Sequence, residues 1–226
     1  MKPNVDYTLY LVTDSALMTT ATVEESVELA IRGGATLVQL REKTASSREC
    51  YATALAVCAV CRRHRVPLII NDRVDLALAV DADGVHIGQS DLPAQVVRRL
   101  IGPDKLLGVS AGTLPQALAA VEAGADYLGI GAMCATGTKT DASLTSMATL
   151  SEIRAAVSLP LVVIGGVNRE NACEFARVGV DGLAVVSAIV AQRDITAAAR
   201  EIKAAFLGGR PAQFLSPPKL EIAPSM

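Results

Sequence analysis

The stretch "AGADYLGI" (residues 123–130) follows a formula that recurs as "GGATLVQL" (33–40), "DADGVHI" (81–87) and "VGVDGLAV" (178–185). Each version leaves a helix end through Gly, Ala or Val, passes an Asp or Thr, and enters an apolar run. These runs are rich in Leu and β-branched residues and show no polar alternation. Strands buried on both faces of a parallel sheet look like this. Four more runs of the same character are "YTLYLVT" (7–13), "VPLIIN" (66–71), "KLLGVS" (105–110) and "PLVVIGG" (160–166).

Helical patterns fill the intervals. In "TVEESVELAIRGG" (22–34), Val23, Val27, Ala30 and Ile31 share one face, Thr22 and Glu25 form a capping box, and glycines stop the helix. "TLPQALAAVEAG" (113–124) repeats the layout with Thr113, Gln116 and Gly124. "NRENACEFARVG" (168–179) offers Asn168 as cap and Gly179 as stop, and "DRVDLALAV" (72–80) is a short third helix. Eight strand–helix units in about 200 residues predict an α/β protein with a single (β/α)8 TIM barrel. A doubly wound sheet is the competing arrangement. The barrel is expected over residues 1–206, and residues 207–226 read as a loosely held, Pro-rich tail.

Composition narrows the function classes. With 226 residues and 51% hydrophobic content, the chain can bury one sizeable core. A net charge of -2 points away from nucleic acid and anionic membranes, so any basic function must be local. No run approaches the ~18 apolar residues of a membrane span. "MKPNVDYTLYLVTD" (1–14) lacks a signal-peptide core, so a cytoplasmic location is expected. Five cysteines, an odd number, fit a reducing compartment. Cys58 and Cys61 make a C-x-x-C inside the helical run "CYATALAVCAVCRRH" (50–64). They read as buried small apolar residues, because a redox pair belongs at a helix N-terminus and a zinc site needs a second pair.

In a barrel the C-terminal strand ends build the site. Those ends carry Thr13 and Asp14; Gln39, Arg41 and Lys43; Asn71 and Asp72; His86, Gln89 and Asp91; Ser110; Thr136, Thr138 and Lys139; Gly165 and Gly166; and Ser187. Cations, hydroxyls and main-chain N–H groups suit phosphate oxygens. Asp72 and Asp91, without His or Cys ligands, favour Mg2+, a hard ion that bridges to substrate phosphates. The pattern therefore suggests two phosphate sites. One is cationic and metal-assisted, on strands two to six, and suits a diphosphate. The other is a main-chain nest after strands seven and eight and suits a monophosphate.

Other motifs fail. "GVSAG" (108–112) matches a nucleophile elbow, but both histidines, His64 and His86, lie upstream, and no base for Ser110 is evident. "ATGTKT" (135–140) lacks the G-K-[ST] order of a P-loop, and "GIGAMC" (129–134) lacks the third glycine of a dinucleotide fingerprint. His86 reads equally as a site residue or as a hydrogen-bonded core histidine.

Seven segments, "QLREK", "NDRVDLA", "DGVHIGQSD", "GVSAGT", "TGTKTDA", "VVIGGV" and "VVSAI", fall in order between residues 39 and 189, and together they resemble the thiamine-phosphate synthase family. The resemblance implies a (β/α)8 enzyme, a transferase of thiamine biosynthesis. Such an enzyme couples 4-amino-2-methyl-5-hydroxymethylpyrimidine diphosphate to a thiazole phosphate, giving thiamine phosphate and pyrophosphate. It implies that Gln39, Leu40, Arg41, Glu42, Lys43, Asn71, Ser110 and Lys139 hold the pyrimidine diphosphate, with Arg41, Lys43, Lys139 and Ser110 as the catalytic set. It further implies one Mg2+ per subunit on Asp72 and Asp91. Thr136, Gly137 and Thr138 would contact the thiazole, and Gly166, Val186 and Ser187 its phosphate. Where the family commonly has Phe-Pro before T-x-T-K, this chain has Cys134-Ala135. The partners implied are small molecules, with assembly into a homo-oligomer left open. The alternatives are a thiazole tautomerase and a non-catalytic phosphate-ligand sensor on the same barrel. The intact Arg41, Lys43, Asp72, Asp91 and Lys139 set argues against the first; the second would not need two carboxylates for Mg2+, and Mg2+-independent binding would favour it.

Overall fold

The computed structural model of the chain describes residues 2–134 and 144–211. The elements run β1 (Leu9–Val12), α1 (Val23–Arg32), β2 (Leu37–Leu40), α2 (Ser47–His64), β3 (Leu68–Asn71), α3 (Val74–Ala79), β4 (Gly84–Ile87), α4 (Ala94–Ile101) and β5 (Leu106–Ala111). They continue with α5 (Leu114–Glu122), β6 (Tyr127–Ile130), α6 (Met147–Ala156), β7 (Leu161–Val163), α7 (Ala172–Val178), β8 (Gly182–Val185), α8 (Ser187–Val190) and α9 (Ile195–Gly209). All neighbouring strands are parallel, and β1 pairs with β8 through Leu9↔Leu183 and Tyr10↔Ala184. The sheet is a closed barrel, which eliminates the doubly wound alternative. Helix α9 runs three residues past the expected end of the barrel unit, and the expected tail from residue 212 onward lies outside the described residues.

Closure explains the recurrent formula. The four copies lead into β2, β4, β6 and β8, and the polar residue before each strand satisfies the start of the preceding one. Leu9 N–H donates to Thr36 Oγ1 (3.0 Å), Leu68 N–H to Asp83 Oδ2 (2.8 Å), Leu107 N–H to Asp126 Oδ2 (2.8 Å) and Leu161 N–H to Asp181 Oδ2 (2.8 Å). An apolar residue there would leave a buried donor without a partner. Basic side chains complete two of these joints: Arg98 from α4 reaches Asp126 at 2.6 Å and Arg154 from α6 reaches Asp181 at 3.0 Å. The glycine of each "DG" pair is demanded by close approach. A Cβ on Gly182 would stand 1.6 Å from Tyr7 O, and one on Gly84 2.3 Å from Leu106 O.

Strand residues alternate between two buried environments. Leu9, Leu11, Val38, Leu40, Val85 and Ile87 pack outward under the helices, while Tyr10, Val12, Leu37, Ile69, Leu106, Tyr127, Val162 and Ala184 fill the barrel interior. Both sets are apolar, hence the missing polar alternation. Cys50, Cys58 and Cys61 belong to the outer core; burial raises the thiol pKa of Cys58 and Cys61, which keeps them protonated. Among the described residues, no helix is long and apolar enough to cross a membrane.

Three capping details differ from the sequence expectation. Thr22 and Thr113 do accept from the N–H of Glu25 and Gln116, but the return bonds go one residue earlier, to Ala21 N–H and Gly112 N–H. The full reciprocal box is at Ser46 and Glu49. Asn168 is not the cap of α7, which starts after Asn171; its carbonyl oxygen instead closes the preceding turn on the N–H groups of Glu170 and Asn171.

Replacing Asp126 with Ala should cost about 1–3 kcal/mol in urea unfolding, because it strands the Leu107 N–H. Glu201→Ala, which removes an exposed pair with Arg169, should stay within about 0.5 kcal/mol. Equal losses would refute the joint.

Candidate active site

The upper rim, at the C-terminal strand ends, surrounds one cavity. Gln39, Arg41, Asn71 and Ser110 line one side of it, and Gly165, Gly166, Val186 and Ser187 line the other. The two regions that the sequence separates by function thus share a single space. Thr136, Gly137, Thr138 and Lys139 lie outside the described residues.

The cations are held by carboxylates. Arg41 follows β2, and its Nη1 meets Asp14 Oδ2 at 3.2 Å. Its main-chain N–H donates to Thr13 Oγ1 at 2.9 Å, which ties the ends of β1 and β2 together. Lys43 Nζ meets Asp72 Oδ2 at 2.5 Å. Glu42 accepts from Ser15 Oγ through Oε2 at 2.7 Å, while its Oε1 is buried with no partner among the described residues. The Leu40 side chain packs outward under the helices, so any ligand contact from this residue falls to its main chain.

Asp72 and Asp91 come together, as a shared ion would need. Asp72 directly follows β3, has φ +61°, and donates its N–H to His86 O at 2.8 Å. Asp91 sits in the loop after β4, where its Oδ2 accepts from Gly88 N–H at 2.7 Å. The two carboxyls stand close enough to influence each other's ionisation. Burial, and then the neighbouring Asp72 charge, pushes the Asp91 carboxyl up. Burial works against ionisation of Asp72 as well, but the Lys43 ammonium and the neighbouring Asp91 carboxyl outweigh it and hold that carboxyl down. The pair therefore carries one firm negative charge and one easily protonated oxygen set. Oxygen-only donors of this kind fit Mg2+, with the remaining positions left to a ligand's phosphates.

On the far side, Gly165 and Gly166 have φ +96° and +68°, conformations that favour glycine. A Cβ on Gly166 would stand 2.6 Å from Cys134 Cβ. Asn171 Nδ2 donates to Gly166 O at 2.9 Å and fixes the turn. Val186 and Ser187 then carry the chain from β8 into α8.

Ser110 corrects a sequence expectation. His86, although upstream, does reach it: His86 Nε2 lies 2.9 Å from Ser110 Oγ. The other ring nitrogen, Nδ1, lies 3.1 Å from Tyr127 Oη, and Tyr127 Oη lies 2.8 Å from Tyr10 Oη. Gln39 Nε2 donates to Tyr10 Oη at 2.7 Å. His86 is thus both a core residue and a site residue. Sequence reasoning missed the tyrosines. One signal was available: inward positions of neighbouring strands pair large with absent side chains, and a Cβ on Gly108 would stand 2.2 Å from Tyr127 Cζ and 2.4 Å from His86 Nδ1.

Comparisons with known proteins identify the family. The family model described as thiamine monophosphate synthase matches residues 9–189. The chain is 59% identical over 207 residues to the thiamine-phosphate synthase of Clostridium beijerinckii, covering 92% of this chain and 99% of that one. It also resembles the solved thiamine phosphate pyrophosphorylase from Pyrococcus furiosus, with TM-score 0.83 and 39% identity over 90% of this chain and 96% of that one. A 3-hexulose-6-phosphate synthase, at TM-score 0.62 and 18% identity over 87% and 99% of the two chains, shares the fold alone. A match that runs from the first strand to the start of the helix after the last, with relatives covered almost end to end, places this chain in the thiamine monophosphate synthase family.

Proposed function

We propose that this chain is a cytoplasmic transferase joining 4-amino-2-methyl-5-hydroxymethylpyrimidine diphosphate to a thiazole phosphate, with release of diphosphate and formation of thiamine phosphate. The observation that carries the reading is the shared cavity, with Arg41, Asn71 and Ser110 on one wall and the Gly165–Gly166 turn and Ser187 on the other. Two phosphorylated substrates can meet there with their reacting ends facing.

The reaction needs little proton transfer. The bond from the pyrimidine CH2 to the diphosphate oxygen breaks, and its electron pair leaves with the diphosphate. The aminopyrimidine ring delocalises the cation. The thiazole nitrogen then donates its lone pair to the CH2 and forms the new C–N bond. Arg41, Lys43 and Lys139 neutralise the leaving group, which is where a fixed charge lowers the barrier most. Asp72 and Asp91 would hold Mg2+, which would supply further charge neutralisation to that group. Gln39, Leu40, Glu42, Asn71 and Ser110 orient the pyrimidine diphosphate. Thr136, Gly137 and Thr138 contact the thiazole, and Gly166, Val186 and Ser187 hold its phosphate. Orientation matters because water competes for the cation.

The test mixes the protein with both substrates and Mg2+ and follows diphosphate and thiamine phosphate together. Equal release of both, abolished by a chelator and restored by Mg2+, is expected. Diphosphate release without thiamine phosphate would defeat the coupling reading. Asp91→Ala and Lys139→Ala should each lower turnover at least about a hundredfold, as loss of an electrostatic stabiliser does. Near wild-type turnover would remove that residue from the scheme.

A further inference from the structure

The polar chain through the barrel interior has a direction, and the direction matters at its ends. Gln39, Tyr10, Tyr127 and His86 are all buried, at 4%, 1%, 0% and 8% exposure. Burial raises both phenol pKa values and keeps the hydroxyls protonated. Each phenol then has one hydrogen to give. The Gln39 amide nitrogen can only donate, so Tyr10 Oη receives from it and passes its own hydrogen to Tyr127 Oη. Tyr127 passes its hydrogen to His86 Nδ1. An imidazole that accepts at Nδ1 carries its hydrogen on Nε2 and donates to Ser110 Oγ. That leaves the Ser110 hydrogen for the cavity at one end, and the Gln39 amide oxygen at the other.

The geometry points to Tyr10 and Tyr127 as positioning residues that fix opposite hydrogen-bond polarity on Ser110 and Gln39. Ser110 is made a donor and Gln39 an acceptor. Resting on the function proposed above, this matches an aminopyrimidine edge, where a ring nitrogen accepts and the adjacent amino group donates. The two ends cannot be set independently. Turning the Gln39 amide over would reverse every hydrogen in the chain and make Ser110 an acceptor. The tyrosines act through His86 and Gln39, and Tyr10 also lines the cavity. The absent side chains of Gly108 and Gly129 leave the space in which the rings sit: a Cβ on Gly129 would stand 2.9 Å from His86 Cε1.

The test combines a tautomer readout with kinetics. Nitrogen-15 NMR of the imidazoles is tractable because the chain has two histidines, and His64→Gln assigns the remaining signal to His86. At neutral pH His86 should show a hydrogen on Nε2 and an acceptor Nδ1. Tyr127→Phe keeps the ring and removes the middle link. It should mix the tautomers and raise KM for the pyrimidine diphosphate about tenfold or more, with KM for the thiazole phosphate unchanged. Tyr10→Phe should act in the same direction, since it releases Gln39. A wild-type spectrum with the hydrogen on Nδ1, or an imidazolium, would overturn the proposal, and this needs no variant to fold. So would a folded Tyr127→Phe protein with wild-type KM for both substrates. Wild-type turnover, measured alongside, reports on the function itself; the imidazole spectrum and the variant-to-wild-type ratio report on the relay.

Discussion

A parallel sheet closed on itself has no edge strand, so its unpaired main-chain groups are confined to two rims. The rest of the molecule follows from how each rim is treated. At the lower rim, Thr36, Asp83, Asp126 and Asp181 turn their oxygens onto the N–H groups of the preceding strands. Those side chains are fully engaged with the protein's own backbone. At the upper rim the polar side chains project into a shared space instead, and the glycine turn after β7 keeps its main chain close to that space. One end of the barrel is a set of joints and the other is a binding surface. Chemistry and stability are separated along the barrel axis.

Between the rims lies an interior that is partly apolar and partly polar. Leu37, Leu106, Ile69 and Val162 fill its apolar part. Beside them the tyrosine pair, His86 and Gln39 form a connected polar layer in a setting where an unmatched hydrogen bond would be costly. Every member of that layer has a hydrogen-bond partner within 3.1 Å. The layer is a solid floor for the cavity, so the groups above it are held by packing and hydrogen bonding at once.

The upper and lower rims were legible in the sequence for different reasons. The lower-rim formula is local: one Asp or Thr always precedes the apolar run, so a repeat search finds it. The upper-rim set was legible because charged residues such as Arg41 and Asp72 at the end of an apolar strand stand out against it. The interior was not legible. When both faces of a strand are buried, Tyr10 and Tyr127 look like any other apolar strand residue, and nothing local says which face is which. The Ser110–His86 contact was missed because motif logic orders catalytic residues along the chain, whereas a barrel brings β4 and β5 side by side. Asn168 was misassigned because an Asx turn and a helix cap use the same side-chain chemistry one turn apart.

The Ser110–His86 contact also shows why distance alone does not define a nucleophile. A serine is activated when the facing imidazole nitrogen lacks a hydrogen and can take one, and in triads a buried carboxylate on the other nitrogen enforces this. Here the group on Nδ1 is the Tyr127 phenol, a proton donor held neutral by burial. It places the imidazole hydrogen on Nε2, against Ser110, where it blocks proton removal instead of assisting it. The same 2.9 Å contact that would make a hydrolase with an Asp behind the histidine makes, with a tyrosine behind it, a serine whose hydrogen is free to be offered outward. A reaction driven by leaving-group departure and cation capture asks for such a group: one that orients a ring and does not attack it.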